Sequence, residues 1–379
     1  MYSSTSFDFQ PRTRIVFGAG TLSRAGEIAK SLGGRHALVV SDPGIVAAGY
    51  PARALRSLEE AGLSAAIFSG VEENPTSAHV EEGVLFAKQH GIDLIIGLGG
   101  GSSMDCAKGI NFLLTNGGRM QDYWGGGKAA KAMLPLIAIP TTAGTGSEAQ
   151  SFALISDPET HQKMACGDPK AAAAVAILDP AITISQPADV TAVTGIDAIG
   201  HALETWVTSK RNPISRLYSQ RAWQLLSESF PRVLEEPSNE HARAGMLLGA
   251  NFVGTAIENS MLGMAHSCAN PLTAHHQVVH GAAVGMLLPA VIRFNIACAG
   301  ELYEELCPSG GGAEPGEELV RVVDGMIEKS AIPRRLSDYG IAEDELPKRA
   351  EEAASQWTAR FNPRPVSTAD CLKIYQQIY

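Results

Sequence analysis

The sequence predicts an α/β N-terminal half with a mostly parallel sheet, followed by an all-helical C-terminal half. Three observations carry this expectation. Residues 13 to 178 alternate short apolar runs with helical patterns, the rhythm of strands separated by crossover helices. After Pro187 strand signals become rare and a 3.6-residue periodicity dominates. The composition, 45% hydrophobic but only 6% aromatic with 39 glycines, is that of an aliphatic-cored α/β protein. The chain's 379 residues suffice for two domains.

Taken in order, the predicted strands are Arg14–Phe17, His36–Ser41, Ala65–Ser69, Asp93–Gly97, Leu134–Ile139 and Val175–Leu178. Helical stretches Leu22–Leu32, Pro51–Ala61 and Thr76–His90 separate the first four. Ser151–Ser156 and His161–Ala165 read as a hairpin around DPET. The boundary falls near Ala181–Asp189, dividing residues 1–187 from 188–379. Beyond it, Arg216–Ser229, Ala242–Met264, Ala282–Phe294 and Glu317–Lys329 read as helices, and Pro308–Gly316 as a loop.

The formal net charge is −10 with no lysine- or arginine-rich block, which argues against a nucleic-acid partner. Cys106, Cys166, Cys268, Cys298, Cys307 and Cys371 are widely spaced and form no CxxC pair, so reduced thiols and a cytoplasmic setting are expected. The opening MYSSTSFDFQPRTR lacks the apolar core of a signal peptide. No uninterrupted apolar run approaches the roughly 18 residues of a membrane span.

GLGGGSSMDCAKG, residues 97 to 109, follows an apolar run and opens a helical pattern. Glycines at 99, 100 and 101 let backbone amides approach a pyrophosphate, and a helix N-terminus attracts anions. A merely tight strand-to-helix turn explains GGGS about as well. Ser102 and Asp105 fit a capping-box pattern. FGAGTLS, residues 17 to 23, is a weaker partial fingerprint, more often only a turn. Asp42 closes the second predicted strand, where an acid can bind an adenosine ribose 2′-OH and repel a 2′-phosphate; the alternative is a turn-forming aspartate before Pro43. Thr141, Thr142, Thr145 and Ser147 sit in IPTTAGTGSE, directly after a strand, either as ligand hydroxyls at the sheet's carboxyl edge or as a plain polar loop.

Asp197 and His201 stand four apart in GIDAIGHALE and share one helix face. His266 and His280 flank a short linker. Three imidazoles and a carboxylate suit Fe²⁺ or Zn²⁺, although a lone histidine in an apolar helix is usually a core residue, and Asp197 with His201 also fits a simple i,i+4 pair. Glu204 lies three residues past His201, in place to support a ligand. His275 and His276, in the intervening linker, are weaker ligand candidates.

With these motifs the chain resembles the iron-containing, group III alcohol dehydrogenases over almost its whole length. The resemblance rests on ENPT at 73–76, GGGSSMDCAK at 99–108, IPTTAGTGSE at 139–148, TGIDAIGHALE at 194–204, His266 with His280, and NPRPV at 362–366. It implies an N-terminal dinucleotide-binding domain, an all-helical metal-binding and substrate domain, and an active site in the cleft between them. It implies metal ligands Asp197, His201, His266 and His280, and NAD contacts from Asp42, Asn74, Gly99, Gly100, Gly101, Ser102, Thr141, Thr142 and Lys163. The expected enzyme is an NAD-dependent, iron-containing (or zinc-containing) alcohol dehydrogenase or aldehyde reductase. Its expected partner is a small alcohol or aldehyde, and its expected assembly a homo-oligomer such as a dimer.

One position departs from the pattern. Many members carry a further histidine four residues after the third ligand, where this chain has Asn270. Asparagine hydrogen-bonds but does not relay a proton near neutral pH, so Asn270 is expected beside the reaction, with the proton route using water, the cofactor ribose or a neighbour such as His275 or His276. Phe152, often polar in members, and Ile257, often aromatic, imply a reshaped and rather apolar pocket. The alternatives are a hydroxyacid–oxoacid transhydrogenase that keeps its nucleotide, a lyase like 3-dehydroquinate synthase, or a non-catalytic metal-binding protein. The lyase needs a basic phosphate pocket that is not evident in the sequence. A non-catalytic protein leaves the glycine loop unexplained.

Overall fold

Runs such as LVV and LIIGLG offer solvent no polar side chain, which suits strands covered by helices on both faces. A computed structural model describes residues 6–160, 162–308 and 314–379. The chain divides into two compact units, Gln10–Gln186 and a second formed by Pro187–Tyr379 with the segment that ends at Phe9. Phe9 stacks at a tilt on Tyr218, with ring centroids 6.4 Å apart.

In the first unit the strands are β1 (Arg14–Phe17), β2 (His36–Val40), β3 (Ser64–Phe68), β4 (Leu94–Gly99), β5 (Gly125–Gly126), β6 (Leu136–Pro140), β7 (Phe152–Ser156), β8 (Lys163–Gly167) and β9 (Val175–Leu178). The helices are α1 (Ala25–Ser31), α2 (Pro43–Ala47), α3 (Tyr50–Glu60), α4 (Ser77–Gln89) and α5 (Gly101–Asn116). Six strands form one sheet in the order β1-β9-β6-β4-β2-β3, every pair parallel. The central strands β4 and β6 are buried throughout, while the edges β1 and β3 are largely open. Alternation along β2 sends Leu38 and Val40 to a core with α4 and α5, and Ala37 and Val39 to one with α1 and α3. The expected hairpin is present as β7 paired antiparallel to β8, with β5 added parallel to β8; His161 lies outside the described residues.

From β2 the chain runs outward to β3, whereas from β4 it runs the other way to β6. The gap between β2 and β4 is therefore the sheet's switch point, where a crevice opens beyond the strands' carboxyl ends. Asp42 follows β2 there, and the triple glycine closes β4 and opens α5.

The second unit comprises α6 (Ala188–Val207), α7 (Pro213–Glu235), α8 (Glu240–Glu258), α9 (Met264–His276), α10 (His280–Leu306), α11 (Glu317–Lys329), α12 (Leu346–Ser355) and α13 (Thr368–Gln377), without strands among its described residues. Asn212 caps α7, its side chain accepting from Ile214 N and Ser215 N with Pro213 at the first helical position. The predicted helix Ala242–Met264 is interrupted, because α8 ends at Glu258 and Gly263 caps a new helix. Part of the predicted loop Pro308–Gly316, residues 309–313, lies outside the described residues. Helix α10 is long and apolar enough to cross a bilayer by composition, with mean hydropathy 1.7, yet 72% of that window is buried, as for a core helix.

Candidate metal centre and nucleotide edge

Asp197 and His201 are neighbours on one face of α6, as their spacing requires. His266 comes from the first turn of α9 and His280 from the first residue of α10. Close helix crossing brings them together: a Cβ on Gly281 would lie 1.9 Å from Val193 O, so only glycine lets the start of α10 approach α6 this way. From Asp197 Oδ1, the Nε2 atoms of His266, His201 and His280 stand at 3.4, 3.7 and 3.8 Å. Ligand atoms held tetrahedrally on bonds of about 2.1 Å lie about 3.4 Å apart, so the distances from Asp197 suit an ion held between it and the imidazoles. The ligand atoms of Asp197, His201 and His266, all buried, lie within 4.8 Å of one another.

A further observation favours a cation. Asp197 Oδ1 and His266 Nε2 face each other without hydrogen-bond geometry, and neither has another hydrogen-bond partner despite full burial. Burial should raise the Asp197 carboxyl, yet the imidazoles, His201 foremost, hold it far below the usual range. Burial opposes charge on His266, but Glu204 and then Asp197 outweigh it and lift the imidazole to about 9. Glu204 accepts from His266 Nδ1 at 2.5 Å and from Ala265 N at 2.6 Å. Such a bond leaves Nε2 as the ring's free donor atom. The donor set and these orphaned atoms fit a divalent ion.

Between His266 and His280 the chain is mostly helical rather than a linker; only Gln277–Val279 leave the helix, Gln277 with φ +54°. Helix α9 continues through Pro271, so Asn270 does not end it. Asn270 Nδ2 donates to Gln356 Oε1 at 3.2 Å. His276, which belongs to α9, places Nε2 3.5 Å from Glu345 Oε2, and burial lowers its pKa. His275 pairs with Glu352 at 2.9 Å.

In the first unit, the residues after β2, β4 and β6 meet around the glycine turn. Gly99 has φ +152°, and a Cβ there would fall 2.4 Å from Ser103 Oγ. Gly100 caps α5 without a side chain, so Ser102 and Asp105 lie inside the helix and form no capping box. Asp42 Oδ1 accepts from Ile45 N at 3.0 Å as the α2 cap, and Oδ2 accepts from Ser103 Oγ at 3.2 Å. Asn74, in the left-handed region at φ +54°, donates its N–H to Ser102 Oγ at 3.3 Å. Thr141 donates its N–H to Gly99 O at 2.9 Å, while its buried Oγ1 has no partner. The Thr142 side chain lies 3.6 Å from where a Gly100 Cβ would be, and the Thr145 methyl 2.8 Å from a Gly101 Cβ. An uncapped helix start, a close-approach glycine and an orphaned hydroxyl fit a dinucleotide pyrophosphate. The FGAGTLS turn is structural: its Gly20 N and Leu22 N donate to Asp179 at 2.9 and 3.0 Å.

Sequence reasoning missed what lies behind this edge. Lys108, fully buried, donates to Ser147 O and Oγ at 2.7 Å and to Phe152 O at 2.8 Å, and Ser147 Oγ donates to Asp105 Oδ1 at 2.6 Å. Burial raises the Asp105 carboxyl against the pull of Lys108 and, more weakly, Lys163 at the start of β8. The available signal was a lysine three residues after an aspartate in an otherwise apolar helix. Phe152 lies over Gly167, where a Cβ would meet its ring at 2.3 Å, and Ile257 is buried in α8. All six cysteines are free.

Residues 11–180 match the family described as iron-containing alcohol dehydrogenase, and residues 191–379 match that family's C-terminal region. Alcohol dehydrogenase 4 of Saccharomyces cerevisiae is 34% identical over 382 residues, covering 100% of both chains. NAD-dependent methanol dehydrogenase of Bacillus methanolicus is 31% identical and covers 98% of each. A solved 1,3-propanediol oxidoreductase superposes with a TM-score of 0.95 at 31% identity, covering 99% of this chain and 100% of that one. The chain belongs to the iron-containing alcohol dehydrogenase family. It is an enzyme of the oxidoreductase class, interconverting an alcohol with an aldehyde or ketone.

Proposed function

We propose that this chain is an NAD-dependent alcohol dehydrogenase in which Asp197, His201, His266 and His280 hold one Fe²⁺, with Zn²⁺ as a substitute. The mutual approach of the Asp197, His201 and His266 ligand atoms, with His280 Nε2 3.8 Å from Asp197 Oδ1 and with Asp197 Oδ1 and His266 Nε2 lacking hydrogen-bond partners, carries the reading. A divalent ion there lowers the pKa of an alcohol hydroxyl and, in reverse, polarises a carbonyl. NAD supplies the hydride acceptor. Residues 188–379 are the metal-binding and substrate domain, joined by the segment ending at Phe9 that was expected in the first domain, and the rest of residues 1–187 is the dinucleotide-binding domain.

At the sheet edge, backbone N–H groups from Gly99 to Ser102 bind the pyrophosphate, with Asn74, Thr141, Thr142, Thr145 and Lys163 around it. Asp42 has one oxygen committed to the α2 cap and turns the other toward the glycine turn, a placement that supports ribose binding and repulsion of a 2′-phosphate. Asn270 orients the reacting group, and His276, whose lowered pKa keeps it neutral at pH 7, accepts the proton. Relatives named for methanol and 1,3-propanediol make short primary alcohols the first substrates to test.

The enzyme works in the cytoplasm as a homo-oligomer, a dimer at least, without nucleic-acid or membrane partners. The open edge of β1, with Ile15 and Phe17 exposed, supports self-association, and the net charge of −10 disfavours nucleic acid. The deciding assay follows NADH formation from a panel of alcohols with anaerobically iron-loaded protein. Absence of turnover with every alcohol and aldehyde would sink the reading; turnover without added NAD would favour a transhydrogenase.

A further inference from the structure

The NPRPV motif lies nearly a hundred residues past His266 and has so far no part in the site. Its first residue, Asn362, is buried and fully bonded. Asn362 Nδ2 donates to Asn295 Oδ1 at 2.7 Å and to Arg364 O at 2.8 Å; Asn362 Oδ1 accepts from Asn295 Nδ2 at 3.1 Å and from Met264 N at 3.3 Å. Asn295 belongs to α10, the helix that begins with His280. Met264 opens α9, two residues before His266.

Glu204 completes the same cradle. Its two oxygens take the next two donors in sequence, Ala265 N and His266 Nδ1. Consecutive residues 264, 265 and 266 thus each give a hydrogen to a buried side-chain oxygen. Gly263 lies against both acceptors, since a Cβ there would stand 3.0 Å from Asn362 Oδ1 and 3.1 Å from Glu204 Oε1. Helix α9 lacks a side-chain cap from its own N-terminal residue, so these two long-range acceptors take over the capping role for its first turn.

We propose that Glu204, backed by the Asn295–Asn362 amide pair, is the positioning residue that presents His266 to the metal. This rests on the metal reading above. The Glu204 carboxylate requires a proton on His266 Nδ1 and so fixes the tautomer whose Nε2 carries the free lone pair. It also balances charge. With a divalent ion and three neutral imidazoles, Asp197 and Glu204 together leave the buried centre without net charge. The asparagine pair ties the start of α9 to α10, and so fixes His266 relative to His280.

Glu204→Gln is nearly isosteric but cannot serve both donors. Either its amide N–H faces Ala265 N, or it donates to His266 Nδ1 and drives the ring proton to Nε2, the atom the metal needs. The test uses full-length zinc-loaded enzyme and follows Zn²⁺ loss to a competing chelator, with thermal unfolding of each protein as a check on folding. Glu204→Gln should bind zinc about 10- to 100-fold more weakly. Asn362→Ala should weaken it less and in the same direction, and it carries the test if Glu204→Gln does not fold. Glu204→Asp, which keeps the charge with a shorter reach, should recover part of the affinity. A purely structural role would lower unfolding temperatures and leave the zinc affinity of the folded protein alone. His280→Ala separates the two readings. Zinc retained in His280→Ala overturns the metal site itself. Zinc lost there but held as tightly as wild type by Glu204→Gln and Asn362→Ala overturns the role given to Glu204.

Discussion

The glycine turn after β4 and the imidazole cluster of the helical unit use side chains in opposite ways. At the turn, function depends on their absence: Gly99 and Gly101 bring backbone close to Ser103 and Thr145, and no side chain caps α5. At the cluster, Asp197, His201 and His266 bring their ligand atoms within 4.8 Å of one another, His280 joins from a third helix 3.8 Å from Asp197, and Glu204 stands behind His266. The turn's own backbone is set within a few residues of chain, with Asp42, Asn74 and Thr145 closing on it and Lys108 and Asp105 behind it. The cluster exists only once α6, α9 and α10 have packed. A local site should therefore tolerate loss of one contact by degrees, whereas a converging site should fail as a unit.

The largest expected effect comes from breaking the cluster. His266→Ala should abolish metal binding and lower kcat by about 10³-fold or more, because a lost metal forfeits several kcal/mol of charge stabilisation at about 1.4 kcal/mol per decade. The circular dichroism spectrum should be unchanged, since the helices keep their other contacts. Next is the support beneath the turn. Lys108→Met strands the buried Asp105 carboxylate and should destabilise the protein by about 3–5 kcal/mol, read by denaturant unfolding. Unfolding at the wild-type midpoint would show that this network carries little of the first unit's stability.

Within the turn itself, Gly99→Ala places a methyl against Ser103 in a backbone region L-residues avoid. A strain of about 1–3 kcal/mol should raise KM for NAD roughly ten- to hundredfold while metal content stays at wild type. Loss of metal in that variant would blur the distinction between the two regions. Asp42→Gly should narrow the preference for NAD over NADP, and a wild-type enzyme with higher kcat/KM for NADP would contradict the role of Asp42. The smallest effect belongs to Asn270→His, which should leave the metal bound and alter only the pH dependence of kcat/KM by adding an ionisable imidazole. Superimposable profiles would remove Asn270 from the reaction.

The same contrast governs what was legible in the sequence. Strands β1 and β9 were readable to the residue because apolar runs bounded by turns are local signals. So was the glycine turn, though not its chemistry: the capping box expected from Ser102 and Asp105 failed because the helix begins earlier, at Gly101. The Ala242–Met264 pattern hid a helix break, since periodicity continues across Asn259–Gly263 while the backbone does not. Asp197 and His201 announced a shared face by spacing, but their meeting with His266 and His280 depends on helix crossings that spacing does not encode. Glu204 was readable as a residue supporting a ligand, but that the ligand is His266, 62 positions on, was not, and the bond from Asn362 to Met264, 98 positions apart, left no signal.

The central claim is that Asp197, His201, His266 and His280 hold one catalytic divalent ion. Elemental analysis of protein purified without oxygen, run beside the Asp197→Ala variant and paired with an alcohol-oxidation assay, tests it most directly. The account predicts one divalent ion per chain in the wild type, almost none in the variant, and activity that follows the ion. A fully occupied, inactive variant, or an active one without metal, would contradict it.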